Sequence, residues 1–412
     1  MATIYPKLLA VMFVGIFYSN IPNYLSVQHG FLLPLHWLIG FGVLALPLLV
    51  RQITTSNVLK SPVVAWCFLY MLVTIIWFIP SSQSEMVWQE VRWRVLAVLE
   101  LLMFLMLLTH ADTNKQARIT LVAAVLLGVA LNIYEFFFPL SFSPIIGRSS
   151  GLYMNPNDSA LALVGGMIFA VTVLPAGFRG TFILIVGIGV SATFSRAGII
   201  AWCLVAVGFL LVRKIRVRDI LLGVCFGSLL VGALFFLRGE EMLRTLDNSG
   251  VMNTKVEERL LSLTDPSSVQ DLSSWSHMYV VQRLWEKWAE HPFLGSGTGT
   301  AFSAFEIAPH NQYLLFMVDH GFIGVLIFPL LILTVIYSDR GKLNCFSMLF
   351  GCTQALAGLV SHSVLNGPHN LLLFALAATV SIMESDQRRS RTLSLENDSR
   401  FRQLPSQSCS EI

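Results

Sequence analysis

Pro309-His310-Asn311 is followed, after nine further residues, by Gly321-Phe322-Ile323-Gly324. An imidazole is a side chain suited to taking a proton near neutral pH, so His310 is the first candidate for a general base. Pro309 suits the first turn of a helix, which leaves His310 beside exposed N–H groups at the helix's positive end. That field disfavours imidazolium and keeps a base neutral. Gly321 and Gly324, spaced for one helix face, read as a tight packing pair. The plainer reading of His310 is a polar residue at a membrane edge.

Three further segments carry cations and amides suited to an anionic ligand. In Ser195-Arg196-Ala197-Gly198 the serine reads as an N-cap, placing Arg196 in the first turn of the next helix. A cation there opposes the helix dipole at a cost of about 0.3–1 kcal/mol, and a locally unfavourable choice is more expected at a functional site than elsewhere. Snorkelling of the arginine to the interface is the alternative. In the segment 279–288, Val280, Leu284 and Trp288 recur every four residues, predicting an interfacial helix with one face in the headgroups. Arg283 and Lys287 share the other face with Glu290, where ion pairing competes with a forked contact from Arg283 to a phosphate. Gly295-Ser296-Gly297-Thr298-Gly299 follows, permitting close backbone approach to an anion at Gly295 and Gly297 or simply forming a flexible loop. The third segment, 147–158, contains Arg148, Asn155, Asn157 and Asp158. It reads either as a polar turn with Asn157 or Asp158 capping a helix or as a loop presenting Arg148 and amide donors to a polar ligand.

Other chemistries lack residues. The chain contains no Asp-x-Asp, no phosphate-loop signature and no dinucleotide-binding glycine fingerprint, and its carboxylates and histidines do not cluster at metal-ligand spacing. The expectation is a reaction with no metal and no cofactor, in which cations stabilise developing charge. Glu100 and Glu135 fall inside predicted spans. Intramembrane acids can mark an ion path, and near an interface they also serve as paired or solvated groups.

The elements that position these groups are membrane helices. Apolar residues make up 55% of the 412 and charged residues 12%, with mean hydropathy +0.69; soluble domains carry about a quarter charged residues. Stretches that can cross a bilayer, roughly 17–25 residues, are expected near 8–25, 31–50, 62–80, 95–110, 119–139, 159–175, 180–194, 197–213, 219–237, 314–337, 343–361 and 370–384. The predicted fold is therefore all-α and polytopic, with about twelve spans. A helical loop, 238–310, is inserted between spans 9 and 10 of a 1–384 membrane domain, and a disordered tail covers 385–412. Arg51, Lys60, Lys115, Arg118, Arg179, the basic run 213–218, Arg340, Lys342 and Arg388, Arg389 and Arg391 share one side, which the positive-inside rule makes cytoplasmic. Arg92, Arg94, Arg148 and Arg196 fall in short loops of the opposite side. Both termini are then cytoplasmic and the 238–310 loop is external. The first span reads as a retained anchor. The net charge of +3 reflects orientation and gives little support for nucleic-acid binding, and six cysteines in spans or tail suggest neither disulfides nor a thiolate metal site.

Taken together, these segments resemble the bacterial O-antigen ligase and polymerase superfamily, and the ligases most. The family pattern of His, then Asn, Ser or Gln, nine residues, and Gly-x-x-Gly is met by His310, Asn311, Gly321 and Gly324. Its Ser-Arg-x-Gly turn is met by Ser195-Arg196-Ala197-Gly198. Its Arg-x-x-Trp helix corresponds to Arg283-Leu284-Trp285, with the tryptophan one position early, and Pro-x-x-Gly-x-Gly to Pro292-Phe293-Leu294-Gly295-Ser296-Gly297. The Arg283-to-His310 spacing is short for the family.

The resemblance implies a glycosyltransferase in the inner membrane of a Gram-negative bacterium, with its active site facing the periplasm. The donor would be an undecaprenyl-diphosphate-linked O-antigen and the acceptor a hydroxyl of the lipid A–core oligosaccharide. His310 would act as base, Arg196 and Arg283 would clamp the diphosphate, and Arg148, Asn311, Asn155, Asn157, Gly295 and Gly297 would contact substrate. Direct attack would invert the anomeric centre without a glycosyl-enzyme carboxylate pair. A polymerase of the same superfamily, a protein O-oligosaccharyltransferase and a lipid-linked sugar transporter or flippase are the competing readings. The last predicts charges along a path through the bilayer centre.

Overall fold

The computed structural model describes residues 4–145, 148–219, 221, 272–303, 309–336 and 345–379. Every element among these residues is helical. In chain order the longer ones are α1 (Ile4–Phe13), continued by a π turn to Tyr18, α2 (Ile21–His29), α3 (Pro34–Thr55), α4 (Pro62–Phe78), α5 (Glu85–Leu108) and α6 (Ala111–Phe137). They continue with α7 (Pro156–Ala170), α8 (Ala176–Ala192), α9 (Arg196–Leu211), α10 (Leu272–Glu290), α11 (Gln312–Ile336), α12 (Cys345–Val360) and α13 (Pro368–Thr379). The predicted span 219–237, most of the 238–310 loop and the tail lie outside the described residues.

Among the described residues, four helices are long and apolar enough to cross a bilayer: α3, α6, α7 with the turn that extends it to Val173, and α11. The pair α1–α2 makes a fifth if its 45° bend is one broken span. The bend corrects the expected continuous span 8–25: Asn20 adopts φ 58° and Pro22 lies in the first turn of α2, so one helix cannot run through. Shorter apolar helices, α4, α8, α9, α12 and α13, fill the bundle. The two segments around Arg196 are separate helices, α8 and α9, broken at residues 193–195.

The helix expected at 95–110 starts ten residues earlier, at Glu85. Ser84 caps α5 by accepting from the Val87 N–H, and Glu85 occupies the positive first turn. Arg94, assigned above to a short loop, is therefore inside α5 and has no solvent exposure.

Hydrogen bonds sort the connections into two ends. At one, Tyr153 Oη donates to the Tyr18 carbonyl (2.8 Å), Arg148 Nε to the Thr193 carbonyl (3.1 Å) and Thr298 N to the Trp77 carbonyl (3.0 Å). At the other, Asn114 Nδ2 donates to Thr379 Oγ1 (2.9 Å), Arg118 Nη1 to Thr172 Oγ1 (3.3 Å) and Arg179 Nη1 to the Lys214 carbonyl (3.3 Å). Arg118 and Arg179, assigned to the basic side by sequence, thus stand at the second end. The residues with candidate chemistry gather at the first.

α10 packs on α11. Val280 and Leu284 are buried in that contact, and Trp288 meets Phe322 at a ring separation of 6.1 Å. The apolar stripe expected in the headgroups therefore faces protein.

Candidate functional site

The site is built on the amino end of α7. Asn155 is its N-cap, accepting from the N–H groups of Asn157 (2.9 Å) and Asp158 (3.4 Å), with Pro156 in the first turn. This corrects the expectation that Asn157 or Asp158 caps the helix: both are inside it, which frees their side chains for neighbours. Asn157 Oδ1 accepts from Arg148 Nη2 and from Ser195 Oγ, each at 2.9 Å. Ser195 also caps α9, accepting from Gly198 N at 3.1 Å, so Arg196 occupies the first helical position, as the sequence predicts. A Cβ on Gly198 would come within 2.3 Å of the Ala160 Cβ, so the glycine is what lets α9 approach α7 here. Arg196 is exposed and Arg148 partly buried.

The loop that carries Arg148 is gathered from below. Glu135, near the end of α6, accepts from the N–H groups of Phe142 (3.3 Å) and Ser143 (2.8 Å) through one oxygen. Through the other it accepts from Ser150 (2.6 Å) and Gly151 (2.7 Å). Four backbone donors on one buried carboxylate fix both flanks of the loop, a structural task for an acid that could have marked an ion path.

Asp158 faces the α12–α13 turn. Its two carboxylate oxygens accept from Ser361 Oγ (3.1 Å) and Ser363 Oγ (3.0 Å). Between those serines stands His362, whose ring contacts His310 (centroids 5.9 Å, 64° between planes) and Phe302 (5.4 Å, 70°). Burial, with the neighbouring His310, pushes the His362 imidazole down to about 4, so it is neutral at physiological pH. The sequence reading did not single out His362. A second histidine in a predicted external loop, 362–369, was the signal available.

His310 itself precedes its helix by more than Pro309 suggests. Asn311 is the N-cap of α11, accepting from Leu314 N at 3.0 Å, and the helix begins at Gln312. Pro309 and His310 are thus both outside the first turn. Asn311 is engaged at both ends, its amide reaching the Leu359 carbonyl at 3.5 Å.

The glycine-rich segment turns inward. Ser296 N donates to the Val318 carbonyl (2.8 Å) and Gly297 N to that of Asp319 (3.0 Å), while Gly295 N closes a turn on His291 (2.8 Å). Gly299 N and Ala301 N bond the Asp319 carboxylate at 2.9 and 3.0 Å. The anion that these amides serve is Asp319 of α11, so Gly295 and Gly297 do not present their N–H groups to a ligand. Gly321 makes the approach possible. It breaks α11 with φ 61°, and a Cβ there would lie 2.3 Å from the Phe293 carbonyl. Gly324 packs on the Phe316 carbonyl, where a Cβ would lie at 1.8 Å. The glycine pair thus accommodates backbone of its own helix and of this loop.

Asp319 also pairs with Arg94, which bonds Glu90 (2.9 Å) and His320 (2.6 Å) as well. Arg94, Asp319 and His320 are fully buried. This group joins α5, α11 and the 295–301 loop under the site.

Arg283 stands apart on α10. It is exposed and pairs with Glu286 at 3.3 Å, while Lys287 pairs with Glu290 at 2.6 Å. The contacts described link Arg148, Asn157, Ser195 and Arg196 on one side with Asp158, His362 and His310 on the other, and no described contact joins Arg283 to them.

Helices alone among the described residues, several of them able to span a bilayer, mark a membrane protein, and the cations and histidines gathered at one end form its candidate site. Residues 181–328 match the family model described as O-antigen ligase, and this match supports the O-antigen ligase superfamily inferred from the motifs. The matched stretch includes Arg196, Arg283, His310, Gly321 and Gly324; Arg148, Asn157, Asp158 and His362 lie outside it. No curated protein matches the chain.

Proposed function

We propose that this protein is a lipopolysaccharide O-antigen ligase. It transfers glycan from an undecaprenyl-diphosphate donor to a hydroxyl of the lipid A–core oligosaccharide, at the periplasmic face of the inner membrane. The observation that carries the reading is the hydrogen-bonded and ring-contact path from Arg148 and the Ser195–Arg196 turn, through Asn157 and Asp158, to His362 and His310. It ties cations and a histidine pair to one helix end, and these are the two functions that such a transfer needs. The family match supports the reaction class.

In the proposed step the acceptor oxygen forms a bond to the anomeric carbon as the bond from that carbon to the diphosphate oxygen breaks. The bonding pair leaves with the diphosphate, and the acceptor's proton passes to His310. Arginine is suited to the leaving group because its planar fork matches phosphate geometry and its charge acts as negative charge builds. Arg196 and Arg283 take that role, with Arg148 tied to the Ser195–Arg196 turn through Asn157 and Arg283 reaching the donor from α10. An exposed intrahelical pair such as Arg283–Glu286 is worth only about 0.2–0.5 kcal/mol, so Arg283 can exchange Glu286 for a phosphate at little cost. Attack is direct and inverting, with no metal or nucleotide.

Purified protein supplied with lipid-diphosphate-linked glycan and lipid A–core tests the reading against its nearest rival. Glycan appearing on lipid A–core supports the ligase. Glycan appearing only on a second lipid-linked glycan replaces it with a polymerase.

A further inference from the structure

Asn157 and Asp158 are consecutive residues that face different halves of the site. The first holds Arg148 and Ser195; the second holds Ser361 and Ser363. Because they share one turn of α7, the separation between the halves is set by a single rigid helix end. The α12–α13 turn also buries Val364 and Leu365 in the core, so what Asp158 adds is the polar tie of the serine segment to α7. The Ser361 and Ser363 oxygens lie 2.8 Å apart, and the Asn366 and Gly367 N–H groups close back on the Ser363 carbonyl, so the turn is braced from within. Its described side-chain ties to α7 are the two bonds to Asp158.

We propose that Asp158 is the positioning residue of this site: through Ser361 and Ser363 it sets the turn that presents His362 to His310, while its neighbour Asn157 holds Arg148 and the Ser195 cap that precedes Arg196. The inference rests on the ligase reading. It also assigns His362 as the surface that orients the His310 ring. Both serine contacts are hydroxyl hydrogen bonds that an amide can replace, since Ser hydroxyls both donate and accept. The geometry therefore requires an acceptor at 158 more than a charge. Misplacement of reacting groups by about 1 Å can cost on the order of a hundredfold in rate, so loss of the strut should fall on kcat.

The test measures kcat and donor KM for Asp158→Ala, Asp158→Asn, Ser361→Ala/Ser363→Ala and the triple variant, at matched membrane abundance. Asp158→Ala and the serine double should each lower kcat by about ten- to a hundredfold with donor KM nearly constant. The triple should be no worse than either, because the groups act through one contact. Asp158→Asn should recover most of the rate. Wild-type kcat in Asp158→Ala, losses that multiply in the triple, an effect confined to KM, or an Asn variant as slow as Ala would each overturn the proposal. If Asp158→Ala does not accumulate, the serine double, which leaves the carboxylate in place, decides alone. Loss of the ligase reading itself is recognised separately, by full transfer in His310→Ala and Arg196→Ala.

Discussion

Arg94 Nη1 and His320 Nε2 lie 2.6 Å apart, joining α5 to α11 where neither side chain reaches solvent. A guanidinium only donates, so Nε2 of His320 is the acceptor and its proton sits on Nδ1. His320 is thereby fixed in a structural role, ten residues from the candidate base. Arg94 also holds Asp319, and Asp319 holds the backbone of Gly299 and Ala301. Removing Arg94 leaves buried acid without its partner. Arg94→Ala should therefore cost about 3–5 kcal/mol, read as a lower thermal unfolding midpoint in detergent, whereas His310→Ala should leave the midpoint in place. An unchanged midpoint for Arg94→Ala would show that the network carries no stability.

The Arg196 prediction separates charge from shape. Arg196→Lys should be nearly as damaging to transfer as Arg196→Ala, because an ammonium cannot reproduce a two-pronged contact to a diphosphate. Arg283→Lys should follow the same pattern if it makes the same contact. Steady-state rates at equal abundance check this, and full activity in both alanine variants removes the clamp from the account.

Stability should fall on acidification in a window set by His362. Its imidazole is held neutral down to about pH 4 in the folded protein, whereas an unfolded histidine titrates near about 6.5. Between those values the unfolded chain binds more protons, so stability declines as pH drops from about 6.5 toward 4 and is unaffected above that range. His362→Asn should reduce this slope. The check is the unfolding midpoint of both proteins at several pH values; identical slopes would mean that His362 does not titrate as described.

Orientation rests on the asymmetry of basic residues. In a cysteine-free background, a cysteine at exposed Ser82 should react with an impermeant reagent applied from the periplasm, and one at exposed Val217 should not. Labelling of Val217 with protection of Ser82 inverts the topology.

What could be read from sequence was what is local. The helical class, the Ser195 cap with Arg196 behind it, and the spacing of Val280, Leu284 and Trp288 all depend on neighbours within one turn or two, and the helices formed accordingly. The errors were local as well where two residues competed for one role: Asn155 rather than Asn157 or Asp158 caps α7, because Pro156 favours the position just after the cap. The rest was invisible because it joins distant residues. Arg94 and Asp319 are 225 positions apart, and Asp158 and Ser363 are 205 apart. One signal was available and unused: Asp319 lies inside the predicted span 314–337, and an ionisable residue at such depth calls for a partner. The glycine-rich loop was read as open to an outside anion for the same reason, since the carboxylate it wraps is on a helix further along the chain.

Base catalysis by His310 is tested most directly by one comparison. Purified wild type and His310→Ala are assayed for glycan transfer from the lipid-diphosphate donor to lipid A–core, and for donor binding in the same preparations. Loss of the proton acceptor should slow transfer by roughly 10²–10⁴-fold, while donor binding persists because the arginines remain. Transfer at the wild-type rate by His310→Ala would contradict the account.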